Sequence, residues 1–416
     1  MHITLQKHLL LLLLLCLSAR AYPQTRDLDY YIGTGMKNSP LLNDINNQLN
    51  ITTLDSLLIK AARKPLIEGR TGALYAPYGN NIGYDEVITD GGNYEALGVI
   101  SQEIFTGKIT ENRFRSISNL KMGIGINKKI TEAELKRTIT DLYLEAYSAY
   151  SDLTFNKLFY RLMTDQEKIM QNFVKAGIYT QSDYLALNVE TKEQEIIVSR
   201  YNSLCRKNLG LLNEFCGVAD SAMYELQRPE LGLSVSPGPS DFLFLKQFIT
   251  DSLKIVNERN AINLRYRPTV SWIADAGFLT SNPWNFYNHF GISGGISLSV
   301  PIYDGQQRKL EERKLDISES TRLFYSDNYR KIYEQKYLSL KDQLKGIKEV
   351  RIKIEQQRKV AEQLVMALRS QLETGLVRMI DYITAIKSYR NINHNLNLAD
   401  IEMSRIINEI NYITTE

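Results

Sequence analysis

The sequence is poor in the residues that most often carry catalysis or hold metals. Its 416 residues include only 3 cysteines and 4 histidines, and beyond residue 21 the histidines are His289 and His394 alone. No spacing of His and Cys suits a metal ion, and no glycine-rich segment follows a strand as a phosphate-binding loop requires. We therefore expect neither an enzyme nor a protein that holds a metal or another cofactor.

The charge balance argues against nucleic-acid binding, and the cysteine spacing argues against a disulfide. The formal net charge is only +3, and the basic residues form no concentrated patch, which argues against nucleic-acid binding. Cys205 and Cys216 lie 11 residues apart in a stretch that is predicted to be helical. A helix would separate them by about 16 Å, too far for a disulfide. We expect both cysteines to be packing residues.

Long apolar runs are missing after the first residues of the chain. Lys7 leads into an apolar run from Leu9 to Leu17, and Ala19-Arg20-Ala21 follows it. This pattern predicts a signal peptide that is cleaved after Ala21. The alternative is an uncleaved anchor, but the run has about half the roughly 20 residues of a spanning helix. Because no later stretch is apolar enough to span as a helix, any membrane segment of the mature chain must be β.

Proline is absent from two long tracts, residues 78–228 and 302–416, although the chain has 10 prolines. A proline inside a helix costs about 3 kcal/mol, so tracts without it are able to hold long helices. Apolar residues recur there every three or four positions, as helices that pack on neighbouring helices require. They include Leu135, Ile139, Leu142, Ala146, Ala149 and Leu153 in the first tract, and Leu340, Leu344, Ile347, Val350 and Ile354 in the second.

The two tracts are copies of each other. Gly107 matches Gly305 and Gly177 matches Gly375, both at an offset of 198 residues, so that each arm is 70 residues long. A helix of that length reaches about 105 Å, and equal arms end their turns at the same depth. The predicted organisation is a signal peptide at 1–21, a first repeat at 22–216, a linker at 217–239 and a second repeat at 240–416, with β-hairpins over 65–106 and 268–304 and helical tips near 177 and 375.

The hairpin before the second arm has the alternation of a membrane strand. Apolar residues alternate with Ser and Gly from Ile292 to Ile302, and a partner strand runs from Pro268 to Phe278. Strands of about ten residues with one apolar face are typical of membrane barrels, and the loop aromatics from Asn282 to Tyr287 suit a membrane interface. The residues expected to face lipid are Trp272, Ile292, Ile296, Leu298, Val300 and Ile302.

The first hairpin is less regular, and a soluble hairpin is the alternative there. Ile67, Ala73 and Tyr75 lie on one face, but Gln102 and Glu103 interrupt both faces near the end of the second strand. Two hairpins supply only four strands, whereas the smallest closed bacterial barrels have about eight. Since open edges do not face lipid, several chains must share one barrel. This geometry leaves two, three and four subunits open.

A hairpin, a long helix, a turn of the form Gly-x5-Asp and a returning helix, all repeated after a signal peptide, resemble the TolC-like outer-membrane factors. The resemblance covers essentially the whole mature chain. It rests on Asn38-Ser39-Pro40 in the first helix, the segment from Ser299 to Gly305, and the tips at Gly177 and Gly375. It implies an α+β membrane protein in which a homotrimer shares one β-barrel, with four strands per chain, continued by a long α-helical coiled-coil periplasmic barrel.

The same resemblance implies a location in the cell outer membrane, in contact with its lipid and with a periplasmic extension. The implied partners are a periplasmic adaptor (membrane fusion) protein and an inner-membrane efflux transporter, for which the channel is a passive duct. The tip residues that would contact the adaptor are Ala176, Gly177, Ile178, Thr374, Gly375 and Leu376. Ordinary turn chemistry is the other interpretation of these residues.

A carboxylate ring at the periplasmic entrance is also implied by the resemblance. Asp183 and Asp381 fall on the tip aspartates of the family, and converging like charges attract cations and favour opening. The alternative is that both carboxylates only cap the returning helices. The family often has a basic residue two positions after the second tip glycine, but Val377 stands there and Arg378 follows it. Because one residue turns a helical side chain by about 100°, a latch through Arg378 is an open question.

The alternative function is that of a periplasmic protein without a pore, because such a protein could have similar long helices. A periplasmic coiled-coil adaptor, or a structural protein that forms no pore, would need its own compact β domains with buried cores. The chain instead has one hairpin per repeat, with a lipid-like face over residues 292–302. The transported compound and the pump class leave no signal in this sequence.

Overall fold

The computed structural model describes residues 26–77, 79, 83–84, 90–220, 222–234 and 242–415. The predicted signal peptide at 1–21 lies outside them, as do residues 221 and 235–239 of the predicted linker. The chain divides into two compact units, each taken here as its described residues only: a helical unit within Met1–Leu42, Thr131–Phe242 and Ile332–Glu416, and a sheet unit within Asn43–Ile130 and Leu243–Lys331. Each sequence repeat therefore contributes to both units.

The sheet unit contains one antiparallel sheet built from both predicted hairpins. Its strands are β1 (Leu66–Tyr75), β2 (Gly92–Ile104), β3 (Thr269–Thr280) and β4 (Phe290–Ser299), paired in the order β1-β2-β3-β4. β2 joins β3 through pairs such as Val99 with Asp275, so the less regular first hairpin belongs to the same sheet as the second. Only β1 and β4 have an unpaired edge within the sheet, and both are exposed along their whole length.

The pairing register sorts the side chains of all four strands onto two different faces. Directly opposed residues share a face in an antiparallel sheet. Trp272 opposes Ile296 and Ile67 opposes Ile100, whereas Asp275 opposes Ser293 on the other face. The face of Trp272, which we call the apolar face, is mainly apolar and includes the polar residues Thr71, Gln102 and Thr280. Its apolar members are Ile67, Ala73, Tyr75, Tyr94, Ala96, Ile100, Val270, Trp272, Phe278, Phe290, Ile292, Ile296 and Leu298. The opposite face is mixed: it carries Glu68, Arg70, Glu95, Ser101, Glu103, Ser271, Asp275, Ser293 and Ser297 together with Leu66, Leu74, Leu97, Val99, Ile273 and Leu279.

Helices flank each strand pair along the chain. They are α1 (Leu28–Asn38), α2 (Pro40–Ala61), α3 (Gly107–Lys175), α4 (Gln181–Cys216), α5 (Leu243–Arg265), α6 (Gln307–Glu373) and α7 (Met379–Ile413). In the sheet unit, buried amides hold α3 to α5: Asn112 Nδ2 donates to Asn257 Oδ1 at 3.0 Å, and Asn257 Nδ2 donates to the Asn112 carbonyl at 3.3 Å. Together with the sheet, these long helices confirm the predicted α+β class.

The first helix differs from its prediction. The sequence analysis places Asn38-Ser39-Pro40 inside the first helix, but α1 ends at Asn38 and α2 begins at Pro40. Ser39 between them is extended, with ψ 116°. The reason is local, because a proline disfavours the helical conformation of the residue before it and is itself well placed at the first position of a new helix.

The helical unit is held by apolar clusters along the predicted seams. Ile139, Ala146, Ala149 and Leu153 of α3 are all buried, and Leu340 and Leu344 of α6 pack with Ile410 of α7. Cys205 and Cys216 are free and buried in these clusters, which confirms that they are packing residues. Burial raises the pKa of the Cys216 thiol to about 11.

The described part of the linker is fastened to the helical unit by side chains. Tyr143 Oη donates to the Gln227 carbonyl at 2.8 Å, and Asn213 donates to the Asp220 carbonyl at 2.8 Å. Arg26 pairs with the Asp220 carboxylate at 2.8 Å. Hydrogen bonds, the largest from Tyr224, lower the pKa of Asp220 to about 2. The segment therefore runs across the helices under specific polar restraints.

No helix in the described ranges combines the length and the apolar character needed to cross a lipid bilayer.

Candidate functional site at the two helical turns

The two tip turns have the same backbone structure. We call Ala176, Gly177 and Ile178 the first tip turn, and Thr374, Gly375 and Leu376 the second tip turn. Gly177 and Gly375 both have φ +73°, in the left-handed region that favours glycine. The amides of Ile178 and Leu376 both reach back five residues, to the carbonyls of Phe173 and Gln371 at 3.0 Å. These are matching Schellman motifs at an offset of 198 residues, and all six tip residues are exposed.

The two tip turns lie next to one apolar cluster that both repeats share. Met163 and Met170 of α3, Leu187 of α4, and Met379 and Tyr382 of α7 are all buried within it. The cluster therefore includes helices from both repeats. This packing ties the position of each turn to the position of the other.

Direct contacts also join the two turns. Tyr179 Oη donates toward the carbonyls of Leu372 and Val377, at 2.9 and 3.0 Å. Ile178 lies against Gly375 so closely that a Cβ added there would be 3.2 Å from Ile178 Cγ2. Glycine at 375 therefore serves both the left-handed turn and the close approach.

Asp183 closes a capping box at the start of α4. Thr180 is the N-cap, and its Oγ1 accepts the Asp183 amide at 3.2 Å while Asp183 Oδ2 accepts the Thr180 amide at 3.1 Å. The Thr180 hydroxyl also donates to Asp183 Oδ2 at 2.6 Å. A carboxylate in this position satisfies free amides and complements the helix dipole.

Asp381, at the matching position of the second repeat, has a different partner. The N-cap of α7 is Arg378, which makes no side-chain cap. Its Nε and Nη2 instead donate to both carboxylate oxygens of Asp381, at 2.9 and 3.0 Å. Val377 occupies the position where the family often has a basic residue. Its backbone carbonyl accepts the Tyr179 hydroxyl. Arg378 thus contacts the predicted entrance carboxylate within one chain.

The residues predicted to face lipid divide into two groups. Trp272, Ile292, Ile296 and Leu298 lie on the apolar face, and the last three are 80, 79 and 64% exposed. Val300 and Ile302 were expected to continue this strand, but β4 ends at Ser299 and both follow it. Pro301 has no amide hydrogen for a strand ladder, which explains the earlier end.

Several polar residues of the helical unit escape prediction from sequence. Tyr179 joins the tips, and His394 Nδ1 lies 3.0 Å from the buried Asp152 carboxylate. Tyr201 and Arg390 are beside this pair, on α4 and α7. The four-residue spacing of Arg390 and His394 places both on one helix face, which was the available signal. Tyr201 and His394 contact each other although they are 193 residues apart in sequence. Local pattern does not identify them.

In the described ranges, no group of three or more His, Cys, Asp or Glu side chains is placed to hold a metal ion.

Comparison with known proteins identifies the fold. No protein-family model and no curated protein sequence matches the chain. Among solved structures, CusC, described as forming a transmembrane channel, aligns with a TM-score of 0.75 at 10% identity, over 95% of this chain and 94% of its own. The outer membrane protein VceC of Vibrio cholerae aligns at 0.72 and 12% identity, over 93% and 96%.

The open-state outer membrane channel MtrE of Neisseria gonorrhoeae also aligns, at 0.71 and 9% identity, over 93% of this chain and 88% of its own. The described chain therefore has the fold of these outer-membrane channel proteins, which confirms the resemblance predicted from the sequence.

Proposed function

We propose that the protein is the outer-membrane channel subunit of a tripartite efflux or export system. It acts as a passive duct from the periplasm to the exterior, coupled to a periplasmic adaptor and an inner-membrane transporter. The sheet unit lies in the outer membrane and the helical unit extends into the periplasm. The observation that carries this proposal is the mainly apolar face of a sheet whose two edge strands each leave one edge unpaired within the described chain.

The open edges support a barrel that is shared by several chains, and we propose a homotrimer. β1 and β4 each leave one edge unpaired in the described chain, and four strands are too few to close a barrel. Three copies, joined β1 to β4, give a closed ring of twelve strands with no free edge. Of two, three and four copies, three is the number that the resemblance to the TolC-like outer-membrane factors implies.

The exposed face of α6 supports the same assembly. Apolar residues recur on it at multiples of seven positions, the period of a helix that packs along a neighbouring helix, and Lys331, Lys345 and Lys359 occupy the other positions of this series. The apolar members are each more than half exposed in the single chain, so a neighbouring subunit would cover them. They are Leu310, Ile317, Phe324, Leu338, Ile352 and Met366.

The two tip turns are proposed as the contacts for the adaptor. They are exposed, identical in backbone and rigidly based on the shared apolar cluster. Ile178 and Leu376 offer apolar side chains that are 49 and 79% exposed. Asp381, with Arg378 beside it, is proposed to belong to the periplasmic entrance, where three copies would converge.

A matched pair of substitutions tests the membrane assignment. Ile296→Arg puts a cation on the proposed lipid face of β4, at a cost of about 2–4 kcal/mol per chain near the bilayer centre. Ser297→Arg puts the same residue one position away on the opposite face. We expect Ile296→Arg to abolish heat-resistant oligomers in outer-membrane fractions and Ser297→Arg to retain them. Equal assembly of both variants would contradict the proposal.

A further inference from the structure

A cavity in the helical unit has a lining of unusual charge. It has a volume of about 270 Å³ and lies mainly between α4 and α7, with one residue from α3. No aspartate or glutamate is among its lining residues, whereas two arginines and a histidine are. The lining is Asn156, Ile197, Arg200, Tyr201, Leu204, Arg390, Asn391 and His394.

Arg390 is the central feature of this cavity. In the described part of the chain, every other arginine that is not exposed has a carboxylate within ion-pair distance, for example Arg322 with Glu319 and Arg358 with Glu355. Arg390 is half-buried, and its side-chain hydrogen-bond partner is neutral: Nη1 donates to the buried Gln194 Oε1 at 3.1 Å. A partly desolvated guanidinium with no carboxylate in direct ion-pair contact is costly, and a bound carboxylate would lower that cost.

The rest of the wall complements an anion with a small apolar body. Arg200, on the α4 side, is exposed and has no carboxylate within ion-pair distance among the described residues. His394 also lines the cavity, and its Nδ1 lies 3.0 Å from the carboxylate of Asp152, which is not a lining residue. Ile197 and Leu204 supply apolar surface. Arginine forks, amide donors and an apolar wall together are the usual means of binding a carboxylate ligand.

We propose that this cavity binds a small organic anion, a carboxylate attached to a compact apolar group, with Arg390 and Arg200 holding the carboxylate. The site goes beyond the duct proposed above and does not depend on the number of subunits. A ligand here would contact α4 and α7, which belong to different repeats. It would therefore stabilise the contact between the two helical hairpins.

A small molecule fits the observations better than an acidic protein segment. The volume is close to the lower end of ordinary ligand pockets, which begin at about 300 Å³. Arg390 is recessed rather than presented on a flat surface. An acidic side chain of a partner would have to insert into the cavity to reach Arg390.

The test uses the full-length protein in a neutral detergent and measures binding by calorimetry and by saturation-transfer NMR. The probes are benzoate, its neutral isostere benzamide and inorganic phosphate. We expect benzoate to bind with a millimolar or tighter Kd, and benzamide about tenfold or more weakly, because it lacks the charge that the arginines recognise. Phosphate binding equal to benzoate would assign the site to oxyanions without an apolar body and overturn the proposed class.

Three variants locate the site. Arg390→Gln should weaken benzoate binding about tenfold or more, as the loss of a charge-assisted hydrogen bond requires. Arg206→Gln, an exposed arginine of α4 outside the cavity, is the matched control and should bind as the unmodified protein does. If Arg390→Gln fails to fold, Arg200→Gln decides, because Arg200 is exposed. No benzoate binding by the unmodified protein, or unchanged binding by the deciding variant, overturns the proposal.

Discussion

Arg378 and Asp381 form a bidentate ion pair at the start of α7, with both N···O distances at or below 3.0 Å. The matching carboxylate of the first repeat, Asp183, is held instead by the neutral Thr180. The two repeats thus share a carboxylate position but differ in the charge around it. If both carboxylates lie at one entrance, the Arg378–Asp381 pair would be close to neutral there, whereas no cation among the described residues offsets the charge of Asp183.

This difference predicts how the entrance responds to cations. Arg378→Gln should make the proposed channel more sensitive to block by a divalent cation, and Asp381→Asn should make it less sensitive, each severalfold. The double variant should return toward the original behaviour, because the local charge is restored. Conductance in planar bilayers measures this order. Identical block in all four proteins would leave Asp381 with a role in helix capping only.

The two tip glycines form a matched pair for a stability measurement. Gly177→Ala and Gly375→Ala both force alanine into the left-handed region, at about 1–2 kcal/mol each. A Cβ at 177 meets open space, whereas a Cβ at 375 is 3.2 Å from Ile178 Cγ2. Gly375→Ala should therefore lower the thermal unfolding midpoint more than Gly177→Ala. The reverse order would mean that the turns do not contact each other as described.

Tyr179 should couple the two tips. Tyr179→Phe keeps the ring and removes the hydroxyl that reaches Leu372 and Val377, so the expected loss is about 1 kcal/mol. The effect should be local, with faster hydrogen exchange at the second tip turn. Tyr184→Phe is a suitable control, because the Tyr184 hydroxyl contacts Gln171 and Glu167 between α3 and α4 of the same repeat. Equal exchange at the second tip in both variants would exclude a clamp through Tyr179.

The structural features that were predicted correctly are those that neighbouring residues in the sequence determine. Glycine at both turns, the absence of proline from both arms and the alternation around Ile296 each depend on neighbouring residues, and they predicted the turns, the long helices and the second hairpin. The pairing of β2 with β3 depends on residues about 175 positions apart, such as Val99 and Asp275. No local pattern encodes that pairing.

The polar contacts of the helical unit were unpredictable for the same reason. Asp152 and His394 are 242 residues apart in sequence, and each alone resembles an ordinary solvent-facing residue of a helix. Only the packing of α3, α4 and α7 buries the carboxylate and leaves Arg390 without an anion. The break at Ser39 is different, because Pro40 already contained the signal for it.

The Asp152–His394 pair should make the helical unit sensitive to pH. The hydrogen bond and charge of Asp152 raise the pKa of His394 above its ordinary value, and Tyr201 Oη lies 3.4 Å from the same ring nitrogen. The charged form is favoured by folding, so its contribution to stability is complete below the ordinary pKa. It is lost as the pH rises through the raised pKa. Thermal unfolding between mildly acidic and mildly alkaline pH should show this decline.

His394→Gln supplies the control for that titration. It removes the titrating group, so the unfolding midpoint should lose the part of its pH dependence that centres near neutral pH. A decline of the same size in His394→Gln would assign the pH dependence to other groups.

The central claim is that a sheet with one apolar face and two open edges closes only by joining other copies of the chain in lipid. The most direct measurement is the mass of the protein extracted from outer membranes in neutral detergent, by light scattering with the detergent contribution subtracted. We predict three times the mass of one mature chain. A single-chain mass, from a protein that stays soluble after the detergent is removed, would contradict the claim.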